Sequence, residues 1–186
     1  MFDDKRFHII PSVRDLRYLE KALKSREDWV QLSCSHLGNL KEAVRLCHKA
    51  GKRVIINHEI VGGLGSDRMA FALMKKMFEV DAVMGGSNTK LMMAKKEEMY
   101  TIRRVALEDS LAVDQVLGTM KETKCDVIEL RPAYYAVRYL PIFQRKKMCT
   151  YVAGGFVDSP EALKAVYDAG FSGATTSCTD LWNITY

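Results

Sequence analysis

The chain has 186 residues, 48% hydrophobic and 27% charged, with a formal net charge of +5 at pH 7. That is the make-up of one soluble globular domain, 1–186, long enough to bury a full core; the mild basicity is compatible with an anionic ligand or with RNA. No apolar run is long enough to span a membrane, the start MFDDKRF is too charged for a secretory signal, and five scattered cysteines (Cys34, Cys47, Cys125, Cys149, Cys178) lack CxxC spacing, which argues for reduced thiols in the cytoplasm rather than a disulfide frame or a zinc site.

Short β-rich segments alternate with amphipathic ones along the whole chain. A strand is expected at 7–10, followed by Ser12-Val13-Arg14-Asp15 and a helix over 13–25. Next come a strand at 30–34 and a helix at 39–50, whose apolar residues Leu40, Ala43, Val44 and Cys47 recur at helical spacing. A strand at 53–57 ends in Asn57-His58-Glu59 and the glycine-rich Gly62-Gly63-Leu64-Gly65-Ser66-Asp67, before a helix at 67–78. The strand at 82–84 runs into Gly85-Gly86-Ser87-Asn88 and a helix at 89–97. The strand at 100–103 ends at Arg103-Arg104, ahead of Glu108-Asp109-Ser110 and a helix at 110–122. The strand at 127–130 carries Glu129 and Arg131 at its end, before a helix at 134–144. The last unit pairs a strand at 150–153, a helix at 160–169 and a strand at 173–176.

Eight strands alternating with helices point to a parallel sheet, and their near-continuous apolar runs suit burial on both faces. A closed, compact single-domain (β/α)8 TIM-type barrel is the first reading, an open doubly wound sheet the alternative. In a barrel the loops after strands 7 and 8 commonly form a phosphate site. Here they carry Gly154-Gly155, with a helix entered at Asp158-Ser159-Pro160, and then Thr175, Thr176 and Ser177 before a further helix start. Glycines let backbone N–H groups approach an anion, and a helix N-terminus adds partial positive charge. Arg14 or Arg104 would complement the charge.

Other features have plainer readings beside the functional ones. Ser12, Ser66 and Ser159 suit helix N-caps. Glu129, in an apolar strand, is costly to bury alone, so it pairs with Arg104 or Arg131 or faces a polar ligand. Glu59 and Glu129 could form a carboxylate pair for acid–base work, yet no nucleophile–base pair accompanies them and no catalytic residue is assigned. His58 alternates away from Asn57 and Glu59 and reads as structural. The histidines show no ligand spacing with one another, and no metal or cofactor is expected. Gly62–Gly65 lacks the spacing of a dinucleotide fingerprint. The basic stretches 41–53, 90–96 and 145–147 read as solvated helix faces, and Tyr134, Tyr135 and Tyr139 as core packing, with stacking on unpaired bases the alternative.

The ordered series IIPSVRD, KRVIINHEIVGGLGSD, DAVMGGSNTKLMMAKK, TIRRVALEDSLAVD, CDVIELRPA, YVAGGFVDSPEAL and GATTSCTDLW resembles the glycerol-uptake operon antiterminator family, glycerol-3-phosphate-responsive regulators of bacteria, from Ile9 to Trp182. The resemblance implies a phosphate-binding barrel that takes glycerol 3-phosphate or a similar phosphorylated polyol and a leader mRNA, preventing transcription termination ahead of glycerol genes. Phosphate would sit on Gly154, Gly155 and Ser177, helped by the hydroxyl of Thr176, while Arg14, Glu59, Arg104 and Glu129 would face the polyol end. Assembly into a homo-oligomer is compatible with this reading. The chain departs from the family pattern at Asn57 and Glu59 (His and Asp in the family), at Gly85-Gly86-Ser87, at Arg103 (Gln) and at Arg131-Pro132-Ala133 (Leu-Pro-Gly). These changes fall at the end facing the rest of the ligand. The alternatives are an enzyme on a small sugar phosphate or phosphodiester with Glu59 or Glu129 as base, and a phosphate-binding barrel without a regulatory partner.

Overall fold

Eight strands pair in chain order, each parallel to the next, and the last returns to the first to close a barrel. They are β1 (His8–Val13), β2 (Trp29–Leu32), β3 (Arg53–Asn57), β4 (Ala82–Gly85), β5 (Tyr100–Ala106), β6 (Val127–Arg131), β7 (Thr150–Gly154) and β8 (Gly173–Thr176). This computed structural model describes residues 1–2 and 6–186. The closed barrel settles the choice against an open sheet.

Seven helices cover the outside: α1 (Leu19–Leu23), α2 (Leu40–Lys49), α3 (Arg68–Lys76), α4 (Asn88–Lys96), α5 (Ser110–Thr119), α6 (Ala133–Lys146) and α7 (Pro160–Asp168). The alternation of side chains along each strand sorts the core into layers. Val54 and Ile56 face the helices, as do Ile128 and Leu130 on the far side. Ile10, Trp29, Ile55, Ala82, Met84, Ile102, Val127 and Val152 fill the barrel interior. At its amino end, the Arg53 guanidinium stacks over Trp29 at 4.2 Å. The interior is therefore solid below, and open chemistry is confined to the carboxyl ends of the strands.

Most of the basic stretches are solvated as expected, Lys41, Arg45, Lys49, Lys95, Arg145 and Lys146 being exposed, but Lys52 is half-buried and its ammonium donates to the Ser25 and Glu27 carbonyls. Three local expectations change. β1 runs on to Val13, because Ser12 registers with Gln31 and the Ser33 N–H donates to the Val13 carbonyl at 2.8 Å. Ser12 is thus a strand residue and no cap; Asp15 caps the 3-10 turn Leu16–Tyr18 that leads into the short α1. Ser66 is no cap either, since Asp67 caps α3, while Ser159 does cap α7. No helix follows β8. Instead residues 177–186 form turns, pinned by buried Leu181 and Trp182, whose indole N–H donates to the Thr176 carbonyl at 2.9 Å.

Candidate ligand site at the barrel mouth

The strand parity that puts Val127, Val152 and Ile10 inside also turns Glu129, Arg131, Gly154, Ser12, Gln31, Arg104 and Thr175 inward, one step nearer the mouth. There they line or underlie a cavity of about 680 Å³, bordered also by Arg14, Ser33, Ile60, Thr176, Ser177 and the loop Gly155–Asp158. Its size is ordinary for a small-molecule site.

Its charged centre is Glu129, 2% exposed. One carboxylate oxygen accepts from Arg104 Nε at 3.2 Å, the other from the Thr175 hydroxyl at 2.7 Å. A buried carboxylate needs both kinds of partner, and here it has them. Glu129 and Arg104 thus neutralise one another, whereas Arg14 and Arg131 line the cavity with no ion pair or side-chain hydrogen bond among the described residues. The cavity therefore offers two uncommitted guanidinium groups beside Asp158 at its edge.

The backbone adds donors of its own. Gly155 (φ +73°) and Phe156 (φ +58°) are consecutive left-handed residues at the end of β7, a conformation that suits glycine and strains phenylalanine. The Gly155 carbonyl is turned away to accept from the Ala133 N–H at 3.0 Å. The N–H groups of Gly155, Phe156 and Ser177 meet no protein acceptor among the described residues. Arg131 lies beside them: a Cβ built on Gly155 would stand 3.2 Å from its guanidinium. Unpaired backbone donors flanked by arginine suit an oxyanion.

Of the residues expected at the site, Arg14, Arg104, Glu129, Gly155, Thr176 and Ser177 line this one cavity. Gly154 lies just beneath, packed on Glu129 and Thr175. Glu59 stands apart on the exposed rim, where its carboxylate accepts from the Gly86 N–H at 2.8 Å. Thr176 sits at the cavity, but its hydroxyl donates to the Val157 carbonyl and accepts from the Cys178 N–H, which ties β8 to the neighbouring loop. With no helix after β8, the dipole expected behind Ser177 is absent too, leaving the backbone donors and arginines.

Sequence reasoning passed over Gln31 and Ser33 as site residues and named Arg131 as a partner for Glu129 and as a departure at the end facing the rest of the ligand; the structure sets it beside Gly155 instead. A signal was present: Gln31 is a polar residue at inward parity in an otherwise apolar strand, as Glu129 is. Asn57 shares that parity, and its Oδ1 accepts from the Glu59 N–H at 3.1 Å. His58 faces α3 as expected, its Nδ1 2.8 Å from the Ser66 hydroxyl and its ring edge-on to Phe71. Tyr134 and Tyr135 are not core residues: the start of α6 presents them to solvent, Tyr134 82% exposed. α6 buries the Ala133, Ala136, Leu140 and Phe143 stripe instead.

Comparison with known proteins agrees with this fold. The chain is 26% identical to the glycerol uptake operon antiterminator regulatory protein of Listeria monocytogenes, whose crystal structure superposes with a TM-score of 0.87 over 94% of each chain. A glycerol uptake operon antiterminator-related protein of Thermotoga maritima is also 26% identical, with a TM-score of 0.82 over 95% of this chain and 98% of that one. The uncharacterized protein YgcP of Escherichia coli (strain K12) is 22% identical over 176 residues, 95% of this chain and 92% of that protein. Among the described residues no helix is long and apolar enough to cross a membrane. The model of the glycerol-3-phosphate responsive antiterminator family matches residues 9–182, and the chain belongs to that family.

Proposed function

We propose that this protein is a regulator that binds a phosphorylated polyol, glycerol 3-phosphate being the first candidate, and through it controls antitermination on a leader RNA ahead of glycerol-uptake genes. The observation that carries the ligand half is the set of unpartnered N–H groups on Gly155, Phe156 and Ser177 beside uncommitted Arg14 and Arg131. A phosphate dianion would meet both charges and fill several donors at once, while the Glu129–Arg104 pair would face its polyol part. The RNA half rests on the family. Ligand binding regulates only if it favours one conformational state of the protein over another. An enzymatic reading gains no support from the geometry: both Glu129 oxygens are engaged within the protein, and Glu59 stands outside the cavity.

The test joins calorimetry with RNA binding. Glycerol 3-phosphate should bind the wild-type protein, and Gly155→Asp should weaken it at least about a hundredfold while the fold persists. The new carboxylate would sit on Arg131 and repel the phosphate, a loss of several charge-assisted hydrogen bonds. Unchanged affinity in that variant would remove the phosphate assignment. Leader RNA should bind with an affinity that falls as salt rises and that responds to the ligand. A slope near zero against log salt would remove the RNA half.

A further inference from the structure

The cavity wall opposite Glu129 holds a polar group that the protein leaves unsatisfied. Gln31 is 4% exposed and lines the cavity with Ser12 and Ser33. Its Nε2 donates to the Ser33 hydroxyl at 3.0 Å, and the Ser33 and Ser12 hydroxyls lie 3.1 Å apart. Its Oε1 is buried without a hydrogen-bond partner. Turning the amide over does not remove the difficulty, because one amide atom can reach Ser33 and the other still has none. Buried polar atoms are overwhelmingly paired, and one that is not stands out in a strand whose other residues, Trp29, Val30 and Leu32, are apolar and buried.

We infer that Gln31, backed by Ser33 and Ser12, is the residue that reads a hydroxyl group of the bound ligand and so sets selectivity for a polyol over an alkyl phosphate. This rests on the reading of the cavity as a phosphate-ester site. An alkyl tail pressed against this wall would offer the amide no partner, so its orphan atom would stay buried and unsatisfied. A ligand hydroxyl donates and accepts at once, so it satisfies the amide in either orientation and can share the serine hydroxyls. The placement suits a short ligand: phosphate at the β7 and β8 ends, its hydroxyl-bearing carbons reaching toward β1 and β2 across the mouth.

Three probes separate the possibilities in calorimetry on the whole chain: glycerol 3-phosphate, n-propyl phosphate and inorganic phosphate. Wild-type protein should bind glycerol 3-phosphate about tenfold or more tightly than n-propyl phosphate. Gln31→Met, close in volume and without the amide, should cut that preference about five- to tenfold, with the loss confined to the hydroxylated ligand. Equal wild-type affinity for the two esters would overturn the inference while leaving the phosphate site standing. So would a variant that loses both esters alike. Absence of binding to all three probes would overturn the phosphate reading and this inference with it. If Gln31→Met does not melt cooperatively, Ser33→Ala replaces it. That change frees the amide from its anchor and should lower only the glycerol 3-phosphate affinity; a fall for both esters counts against the role.

Discussion

Replacing Gly154 by alanine should destabilise the barrel although it adds a single methyl group. Gly154 faces inward at the end of β7, and a Cβ there would overlap Glu129 Oε1, stand 2.5 Å from Thr175 Oγ1 and 2.9 Å from Glu129 Cδ. Neither neighbour can swing clear, since Glu129 is buried and fixed by Arg104 and Thr175. Overpacking of this kind costs about 1–3 kcal/mol, and breaking a hydrogen bond to a charged group about 1.5–3 kcal/mol. The two together give roughly 2.5–6 kcal/mol, a large part of an ordinary domain's stability. For a chain of this size the melting temperature should fall by about 5–24 °C. Urea and thermal unfolding measure it directly, and a change below about 0.5 kcal/mol would refute the packing argument. A double-mutant cycle sharpens the test. Once Glu129→Ala has removed the carboxylate, the added methyl meets only Thr175, so Gly154→Ala should cost clearly less in that background. Strict additivity would show that the two residues do not compete for the same space.

Two further outcomes follow from titrating groups. Burial holds the His58 imidazole below the ordinary histidine value of 6.5, with Lys90 and Arg104 adding to the effect and Glu59 opposing it. The unfolded chain then takes up the proton more readily than the folded one. Stability from this group is intact above 6.5 and is lost as the pH falls toward the lower folded value. The drop in melting temperature between about pH 7 and pH 5 should therefore be smaller in His58→Gln than in wild type; identical slopes would remove His58 as a cause. Burial likewise pushes the Cys47 thiol up to about 12 and the Cys125 thiol up to about 11. Native protein treated with iodoacetamide near neutral pH should keep buried Cys47 unlabelled until it is unfolded and label half-buried Cys125 only slowly, as mass spectrometry of the digest would report; rapid native labelling of Cys47 would contradict its burial.

The barrel was legible because parallel strands covered on both faces leave apolar runs that stand out between helical stretches, and strands 3 and 8 match the expected limits residue for residue. The end of β1 was not. Ser12-Val13-Arg14-Asp15 looks like a helix entry, yet pairing with β2 carries the strand three residues further, and such pairing is invisible to local pattern. The eighth helix failed for a related reason: buried Leu181 and Trp182 fasten the tail as turns, a tertiary contact that propensity does not register. At the site, Arg14, Arg104, Glu129, Gly155 and Ser177 were readable from residue type and position at strand ends. Arg131 was read as a partner for Glu129 and as a change at the polyol end, not as a neighbour of Gly155, and Gln31 was missed, although its parity matches that of Glu129. The exposure of Tyr134 and Tyr135 was misjudged because aromatic residues near a helix start suit a core as well as a surface, and only the buried stripe of α6 decides between them.

The neighbouring glycines that first mark the site turn out to have separate physical reasons. Gly154 ends the ladder with inward parity, and there a side chain would strike the Glu129–Thr175 hydrogen bond. Gly155 has left the ladder and takes φ +73°, which turns its carbonyl to Ala133 and leaves its N–H free beside Arg131. One glycine is needed for space, the other for conformation and access. Their substitutions should accordingly dissociate. Gly154→Ala should lower stability by crowding the carboxylate beneath the cavity, whereas Gly155→Asp should keep the barrel folded and lose the anion. If both changes acted alike on folding and on binding, the cradle and the packed layer below it would be one unit, and the division of roles between β7's last residue and the next would be wrong.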